Sequence, residues 1–293
     1  MDWDNLRVFL AVARAGQFVG AAKQLRIDHA TVGRRITTLE QSLNAKLFER
    51  RTTGVSLTEA GVKLLASAER MESEWLQTQA SLSDKNIELS GAVRIGAPDG
   101  LSTYYLTRCF KDFCDKHPDI TIQLVPMPQV IMLNKREVDI IITLEKPDSG
   151  RFVTRKLTNY SLGLYGAKTY LETHSAPQTQ DDLLNHRLIG YVEDYAFLSA
   201  LDYVRDLYEG AKTSFECVSA VGQLEAVKCG MGLGVAHNYI AHHHSDLVQV
   251  MRERRATRSY WLVIHEDMRG LGRIKAVYDH IVRKIAQDSH IFV

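Results

Sequence analysis

The chain has 293 residues, 45% of them hydrophobic and 24% charged, with a formal net charge of +1. That is enough apolar material for more than one core, so the length suggests roughly two or three domains of a soluble globular protein. No window reaches the ~18 to 20 uninterrupted apolar residues of a membrane span, and the four cysteines (109, 114, 217, 229) have neither metal-site nor secreted-framework spacing.

The start, MDWDNLRVFLAVARAGQFVGAA, has Asp2 and Asp4 where a signal peptide needs cations, and Arg14 and Gln17 interrupt its apolar run. A reducing cytoplasm is the expected compartment. The charge is unevenly spread: residues 1–57 contain nine Lys/Arg against five Asp/Glu, a net of +4 that leaves −3 for the rest. A small basic segment on a mildly acidic body is the balance of a nucleic-acid module joined to something else, although a solvated surface has the same bias.

Three helical stripes follow: Leu6, Phe9, Leu10 and Ala13, then Ala21, Ala22 and Leu25, then Val32, Ile36, Leu39 and Leu43 in HATVGRRITTLEQSL. Between the second and third, RIDH is a tight turn in which Ile27 plugs the core and Asp28 caps the next helix through its orphan amides. This is helix-turn-helix spacing. KLFERRTTGVSLT then alternates apolar and polar residues around Thr53 and Gly54, a two-stranded wing with Arg50 and Arg51 at its edge. In such a module the second helix enters the major groove of double-stranded DNA with its first residues at base edges. His29, Ala30 and Thr31 are then base-proximal, Arg34 and Arg35 reach phosphate or a guanine edge, and Arg51, Thr52 and Thr53 hold backbone. An ordinary three-helix core with a solvated basic face has the same spacing.

In SLTEAGVKLLASAERMESEWLQTQASL, Thr58 caps a long helix, and positions 61, 64, 68, 71, 75, 78 and 82 step alternately by three and four, the seam of a two-helix coil. Self-association as a dimer is the expectation, with a helix packed on its own domain as the other reading. These elements (FLAVARAGQFVGAAKQL, HATVGRRITTLEQSL, LFERRTTGVSLTEAG and the long helix) resemble the winged helix-turn-helix and linker of LysR-type transcriptional regulators. One departure is Gly33, where that family usually has serine, so a hydroxyl contact to DNA is missing. Glycine in a helix interior also costs about 1 kcal/mol relative to alanine.

SDKNIELSG (83–91) reads as a hinge, and beyond it short apolar runs alternate with helices: 93–97, 120–125, 138–143, 161–166, 187–191, 215–219, 233–237 and 260–265. Buried strands between helices imply α/β layers. A closing helix carries Leu271, Ile274, Tyr278, Ile281 and Ile285 at helical spacing. By the same resemblance these 200 residues look like the family's effector-binding region, two subdomains of periplasmic-binding-protein type. The implied organisation is a DNA-binding domain at 1–57, a linker helix at 58–83, a hinge at 84–91, one regulatory subdomain at 92–161 with 265–293, and a second at 162–264.

A ligand in an α/β layer lies beyond the carboxyl ends of strands. PDGLST (98–103) follows the first strand and puts Ser102 and Thr103 at the start of the next helix, as ligand groups or as plain caps. By position and by the resemblance, Asp99, Ser102, Thr103, Pro128, Gln129, Thr143, Tyr191 and Ser219 line the cleft for a small-molecule effector. The resemblance further implies a dimer of dimers and, for an activator, RNA polymerase as a partner.

Other signals read as structure. GMGLG (230–234) lies where a helix ends and a strand begins, the reverse of the order that cradles phosphate. His242, His243 and His244 point about 100° apart on a helix and cannot converge on a metal. MRERRATRS (251–259) is a solvated turn between strands. Cys217 and Cys229 offer a redox switch as an alternative, since some members of that family switch by disulfide formation. The departure from the family's Leu-Pro pair near His237 and Asn238 leaves that loop's contacts open. A solute-binding protein would need an export signal and no basic module. No nucleophile elbow, Walker loop or ligand-spaced His/Cys cluster is present in the sequence, so neither enzymatic activity nor a cofactor or metal is expected.

Overall fold

The computed structural model describes residues 3–51, 54–82, 89–126, 138–147, 151–192, 203 and 213–293. The chain divides into two compact units, one built on the first 88 residues and the other on most of the remainder.

In the first unit, α1 (Trp3–Ala15), α2 (Phe18–Leu25) and α3 (His29–Leu43) are followed by an antiparallel hairpin of β1 (Phe48–Arg51) and β2 (Gly54–Leu57), then by α4 (Glu59–Leu82). The helical stripes close on one another: Leu6, Phe9, Leu10, Val32, Ile36 and Leu39 are all 3% exposed or less. Each such side chain contributes about 1.5–3 kcal/mol by leaving water. Ile27 packs against this core, as its place in the turn requires. The last member of the stripe, Leu43, does not join it and is 38% exposed. Asn44, with φ 47°, turns the chain away after α3, and Glu40 turns inward instead. Its Oε1 accepts from the Leu47 and Phe48 amides at 2.8 and 3.4 Å, and its Oε2 accepts from Lys46 Nζ at 2.7 Å.

The hairpin docks on the turn between α1 and α2. A Cβ on Gly54 would fall 2.4 Å from the Gly16 carbonyl oxygen, and the Val55 amide donates to that same oxygen at 2.9 Å. Only glycine permits this approach, and its φ of 143° is one that other residues rarely adopt.

Thr58 caps α4, its hydroxyl accepting from the Gly61 amide at 3.0 Å. The seam read from spacing is divided by the fold. A Cβ on Gly61 would meet the Leu47 carbonyl oxygen at 2.2 Å, Leu64 packs on the core and Ala68 is fully buried, so this half of the seam is used within the unit. Met71 and Trp75, farther along, are 46% and 53% exposed. Arg14 binds both oxygens of Glu72, at 3.1 and 2.6 Å, and ties α4 back to α1.

The second unit is organised on one mixed sheet. Its strands are β3 (Gly91–Ala97), β4 (Ile120–Pro126), β5 (Ile140–Thr143), β6 (Phe152–Ala167), β7 (Leu188–Gly190), β8 (Thr213–Glu216), β9 (Leu233–His237), β10 (Leu247–Val250) and β11 (Ala256–His265). The order is β4-β3-β5-β11-β6-β9-β7-β8, with β10 on β6. β3, β4 and β5 are mutually parallel, as are β7, β8 and β9. The long antiparallel strands join the two sets: β11 pairs with β5 and with 152–162 of β6, and β9 with 162–165.

Two strands are longer than expected by four residues or more, and one strand is added. β6 begins at Phe152 rather than 161, and β11 at Ala256 rather than 260. The added residues, such as the exposed Arg155 and Lys156, are too polar to stand out as a buried run although they pair with β11 on either side of a bulge at Leu157. β10 is the short strand that the sequence left unassigned. β5 is shorter than expected, since Val138 and Asp139 precede it, and Gly91 belongs to β3 rather than to a hinge. The Gly272–Gln287 helix buries Ile274, Val277, Ile281 and Ile285, while Tyr278 is only half buried. GMGLG does stop the Ala220–Lys228 helix, with Gly230 at φ 72°, and residues 251–255 form the turn between β10 and β11.

Candidate functional site

Asp28 holds the start of α3. Its carboxylate accepts from the Thr31 amide at 2.8 Å and from the Thr31 hydroxyl at 2.6 Å, and these bonds lower its pKa. The Thr31 hydroxyl in turn accepts from the Arg34 guanidinium at 3.1 Å. Cap, threonine and arginine thereby form one chain along the first turn.

The helical period then separates three faces. Ala30 and Arg34 are exposed on the outer face. Arg35 is turned toward α1, where it pairs with Asp4 at 3.2 Å. The two arginines therefore stand on the flank and on the outer face, because residues one apart on a helix diverge by about 100°. His29, Gly33 and Thr37 line a groove of about 740 Å³ shared with the start of α2 and with the hairpin. The Arg50 and Arg51 backbones lie in β1, and their side chains, like Thr52 and Thr53, lie outside the described residues.

In the second unit four of the expected ligand residues, Asp99, Thr143, Tyr191 and Ser219, lie at or just beyond the carboxyl ends of strands, as does His237, to which the sequence assigned no role. Asp99 follows β3, Thr143 ends β5, Tyr191 follows β7, Ser219 follows β8 and His237 ends β9. Asp99 and Ser219 are bound to each other: the Ser219 hydroxyl donates to Asp99 Oδ2 at 2.5 Å. The Val221 amide approaches the same oxygen at 3.5 Å, while Ser219 caps the Ala220–Lys228 helix by accepting from the Gly222 amide at 3.1 Å. The Asp99 carboxylate therefore occupies the positive end of that helix. Among the described residues, the Tyr191 hydroxyl is buried without a hydrogen-bond partner. Burial first, then the Asp99 charge, push that phenol above its usual range.

Ser102 and Thr103 do not start a helix. The helical run begins at Asp99 and passes through a π-helical stretch at Ser102–Leu106. Ser102 is fully buried with its hydroxyl on the Ala97 carbonyl at 3.3 Å, and Thr103 is exposed. Thr143 is buried, its hydroxyl donating to the Glu145 carbonyl at 2.6 Å. Pro128 and Gln129 lie outside the described residues.

The sequence left the role of His237 open and gave none to the tyrosines around it. The imidazole is 7% exposed, stacks on Tyr160 at 5.2 Å, and meets Tyr203 and Tyr239 edge-on. Burial lowers its pKa to about 4 against the opposing Asp99 charge. Next to it, Tyr160 stacks on Tyr260 at 4.1 Å, and the Tyr239 and Tyr260 hydroxyls are 3.2 Å apart. The only advance signal is the number of aromatic residues ending or flanking strands.

Cys217 and Cys229 lie at opposite ends of the Ala220–Lys228 helix. Its nine residues span roughly 14 Å, beyond the ~7 Å Cα separation that a disulfide bridges. A bond between them would require the helix to unwind.

Two family models match the chain. The bacterial regulatory helix-turn-helix protein of the lysR family covers residues 3–62, and the LysR substrate binding domain covers 86–286. Among curated relatives, the HTH-type transcriptional regulator CrgA of Neisseria meningitidis is 25% identical over 97% of both chains. Solved structures with the same fold include ArgP from Mycobacterium tuberculosis (19% identity, TM-score 0.70, 98% of each chain). They also include full-length LysG from Corynebacterium glutamicum with its effector Arg bound (19% identity, TM-score 0.66, covering 97% of this chain and 99% of that one).

Proposed function

Because the chain belongs to the LysR family of bacterial transcriptional regulators, we propose that its hold on promoter DNA is modulated by a small molecule bound at the carboxyl ends of the regulatory sheet. The observation that carries the DNA half of this reading is the first turn of α3, where Asp28, Thr31 and Arg34 form one bonded chain on an exposed surface. Arg34 aims outward at phosphate or a guanine edge while Arg35 is engaged with Asp4. Arg50, Arg51, Thr52 and Thr53 belong to the same interface, on the hairpin.

For the effector half, Asp99, Tyr191 and Ser219 are the favoured contacts; full-length LysG, which shares the fold, was solved with its effector Arg bound. Ser102 and Thr143 spend their hydroxyls on backbone carbonyls and are weaker candidates. The divisions at 57, 83, 161 and 264 belong to this reading, with the hinge ending before Gly91. So do a cytoplasmic location, pairing of two copies through the exposed Met71 and Trp75 of α4, a dimer of dimers, and RNA polymerase as a partner in activation. Two modules on one pair of linker helices would read a pseudo-palindromic site.

Fluorescence anisotropy on the duplex upstream of the chain's own gene, beside a shuffled duplex over a salt series, tests the reading. Specific binding with a steep salt slope is expected. Arg34→Ala should lose at least tenfold in affinity with an unchanged unfolding midpoint, and unchanged affinity would refute this docking of α3.

A further inference from the structure

The face of α4 that meets the three-helix body is a stripe of Gly61, Leu65 and Ala68, at steps of four and three. Glu72 is the next position of that stripe, where an apolar residue would continue the packing. Arg14, in the last turn of α1, meets its two carboxylate oxygens with both terminal guanidinium nitrogens, at 3.1 and 2.6 Å, and lies 4.0 Å from Glu69. The Arg14 side chain is only 12% exposed.

A pair like this is a poor source of stability. Withdrawing the charges from water costs much of what their attraction returns, and the Arg14 Nε is buried with no hydrogen-bond partner among the described residues. What the fork supplies is one register, because its two parallel N–H···O bonds form together in only one relative position. Apolar contacts between helices tolerate small slides and tilts; the fork does not. Gly61, whose Cβ would strike the Leu47 carbonyl oxygen, and Glu72 thus pin α4 to the body at two points about 16 Å apart. Beyond the second point the helix runs on to Leu82, with Trp75 and Thr78 exposed. A tilt at Glu72 is carried along that whole extension.

We propose that Arg14 and Glu72 are positioning residues that set the spacing between paired DNA half-sites: their fork fixes the angle between the α1–α3 body and α4, and hence where two paired copies place their α3 helices. This rests on the DNA-binding and pairing readings above. Neither residue needs to touch DNA for it. One base pair added between half-sites turns them by about 35° and moves them by about 3.4 Å relative to each other. A fixed angle therefore makes binding steeply dependent on spacing, and a loosened one makes it shallow.

The test uses the full-length wild type, Glu72→Gln, Arg14→Lys and the apolar double variant Arg14→Met with Glu72→Leu. The wild type selects its paired half-sites from a randomised duplex library. Every protein is then titrated on those half-sites at the selected spacing and with one or two base pairs added or removed, with salt dependence and thermal unfolding measured in parallel. The wild type should lose about tenfold in affinity per base pair of change, and all three variants less than about threefold, with an unchanged salt slope. The double variant should do so at an unfolding midpoint that is unchanged or raised, which separates positioning from stability.

A steep, wild-type dependence on spacing in the variants overturns the proposal, as does a wild type indifferent to spacing. So does a uniform loss at every spacing, which assigns the pair to folding or to a DNA contact. A relaxation that appears only where the midpoint falls follows stability and overturns it as well. A wild type that selects no paired half-sites is a separate result, which removes the pairing reading and this proposal with it.

Discussion

Asp99 and Ser219, 120 positions apart in the chain, are joined by a 2.5 Å hydrogen bond that places the aspartate carboxylate at the start of the Ala220–Lys228 helix. The protein thus supplies its own anion where oriented amides favour one. A second anion at that spot meets like charge. Asp99→Ala should lose about 1–2 kcal/mol, the contribution of a charge-assisted hydrogen bond that is only partly buried. It should also acquire a stabilisation by sulfate, relative to chloride at equal ionic strength, that the wild type lacks. Thermal unfolding of both proteins in the two salts checks this, and equal sulfate effects would show that the helix end is not the position Asp99 fills.

Glu40 joins α3 to the first strand of the hairpin. Burial alone would raise its carboxyl, but the bond from Lys46 and the amides of Leu47 and Phe48 outweigh it and hold the pKa below its ordinary value of 4.5. A depressed carboxyl stabilises the folded state above the unfolded pKa and loses that contribution as pH falls through the folded one. The hairpin should therefore loosen below about pH 4.5. Glu40→Ala should cost about 1–3 kcal/mol at neutral pH by leaving buried amides without their acceptor. Hydrogen exchange at the Leu47 and Phe48 amides reads this locally, with faster exchange expected in the variant and a weaker acid dependence.

His237 works in the opposite sense. Its pKa falls from 6.5 to about 4 because the imidazole is buried among Tyr160, Tyr203 and Tyr239, with Asp99 only partly opposing. Between those values the unfolded chain takes up a proton that the folded chain refuses, so stability decreases on acidification. Each pH unit in that window contributes at most about 1.4 kcal/mol. The wild type should melt progressively earlier from pH 6.5 toward 4.5, and His237→Phe should show a shallower dependence over the same range. Parallel slopes would place the acid sensitivity elsewhere.

Local signals proved the most readable. Asp28 and Thr58 were identifiable as caps because a short polar side chain before an apolar period has few other uses. Ile27 was identifiable as a plug because the turn leaves it nowhere else to go. The stripes of α1, α2 and α3 follow from a period that one helix shows by itself. Missed features depend on partners distant in sequence. Glu40 resembles any surface glutamate until the Leu47 and Phe48 amides are brought under it. Ser102 looks like a cap until Asp99 begins the helix three residues earlier, and the polar half of β6 looks like a loop until β11 pairs with it.

By itself the sequence determined the order of the modules, the inward face of each helix and the residue types available at the strand ends, because periodicity and capping act over a few neighbouring positions. Tertiary structure alone decided which of those residues are committed to each other. It turned Arg35 to Asp4 and left Arg34 outward, joined Asp99 to Ser219, used Gly61 and Ala68 within the first unit while leaving Met71 and Trp75 exposed, and buried His237 among tyrosines. A side chain's availability depends on what the fold brings within about 3 Å of it.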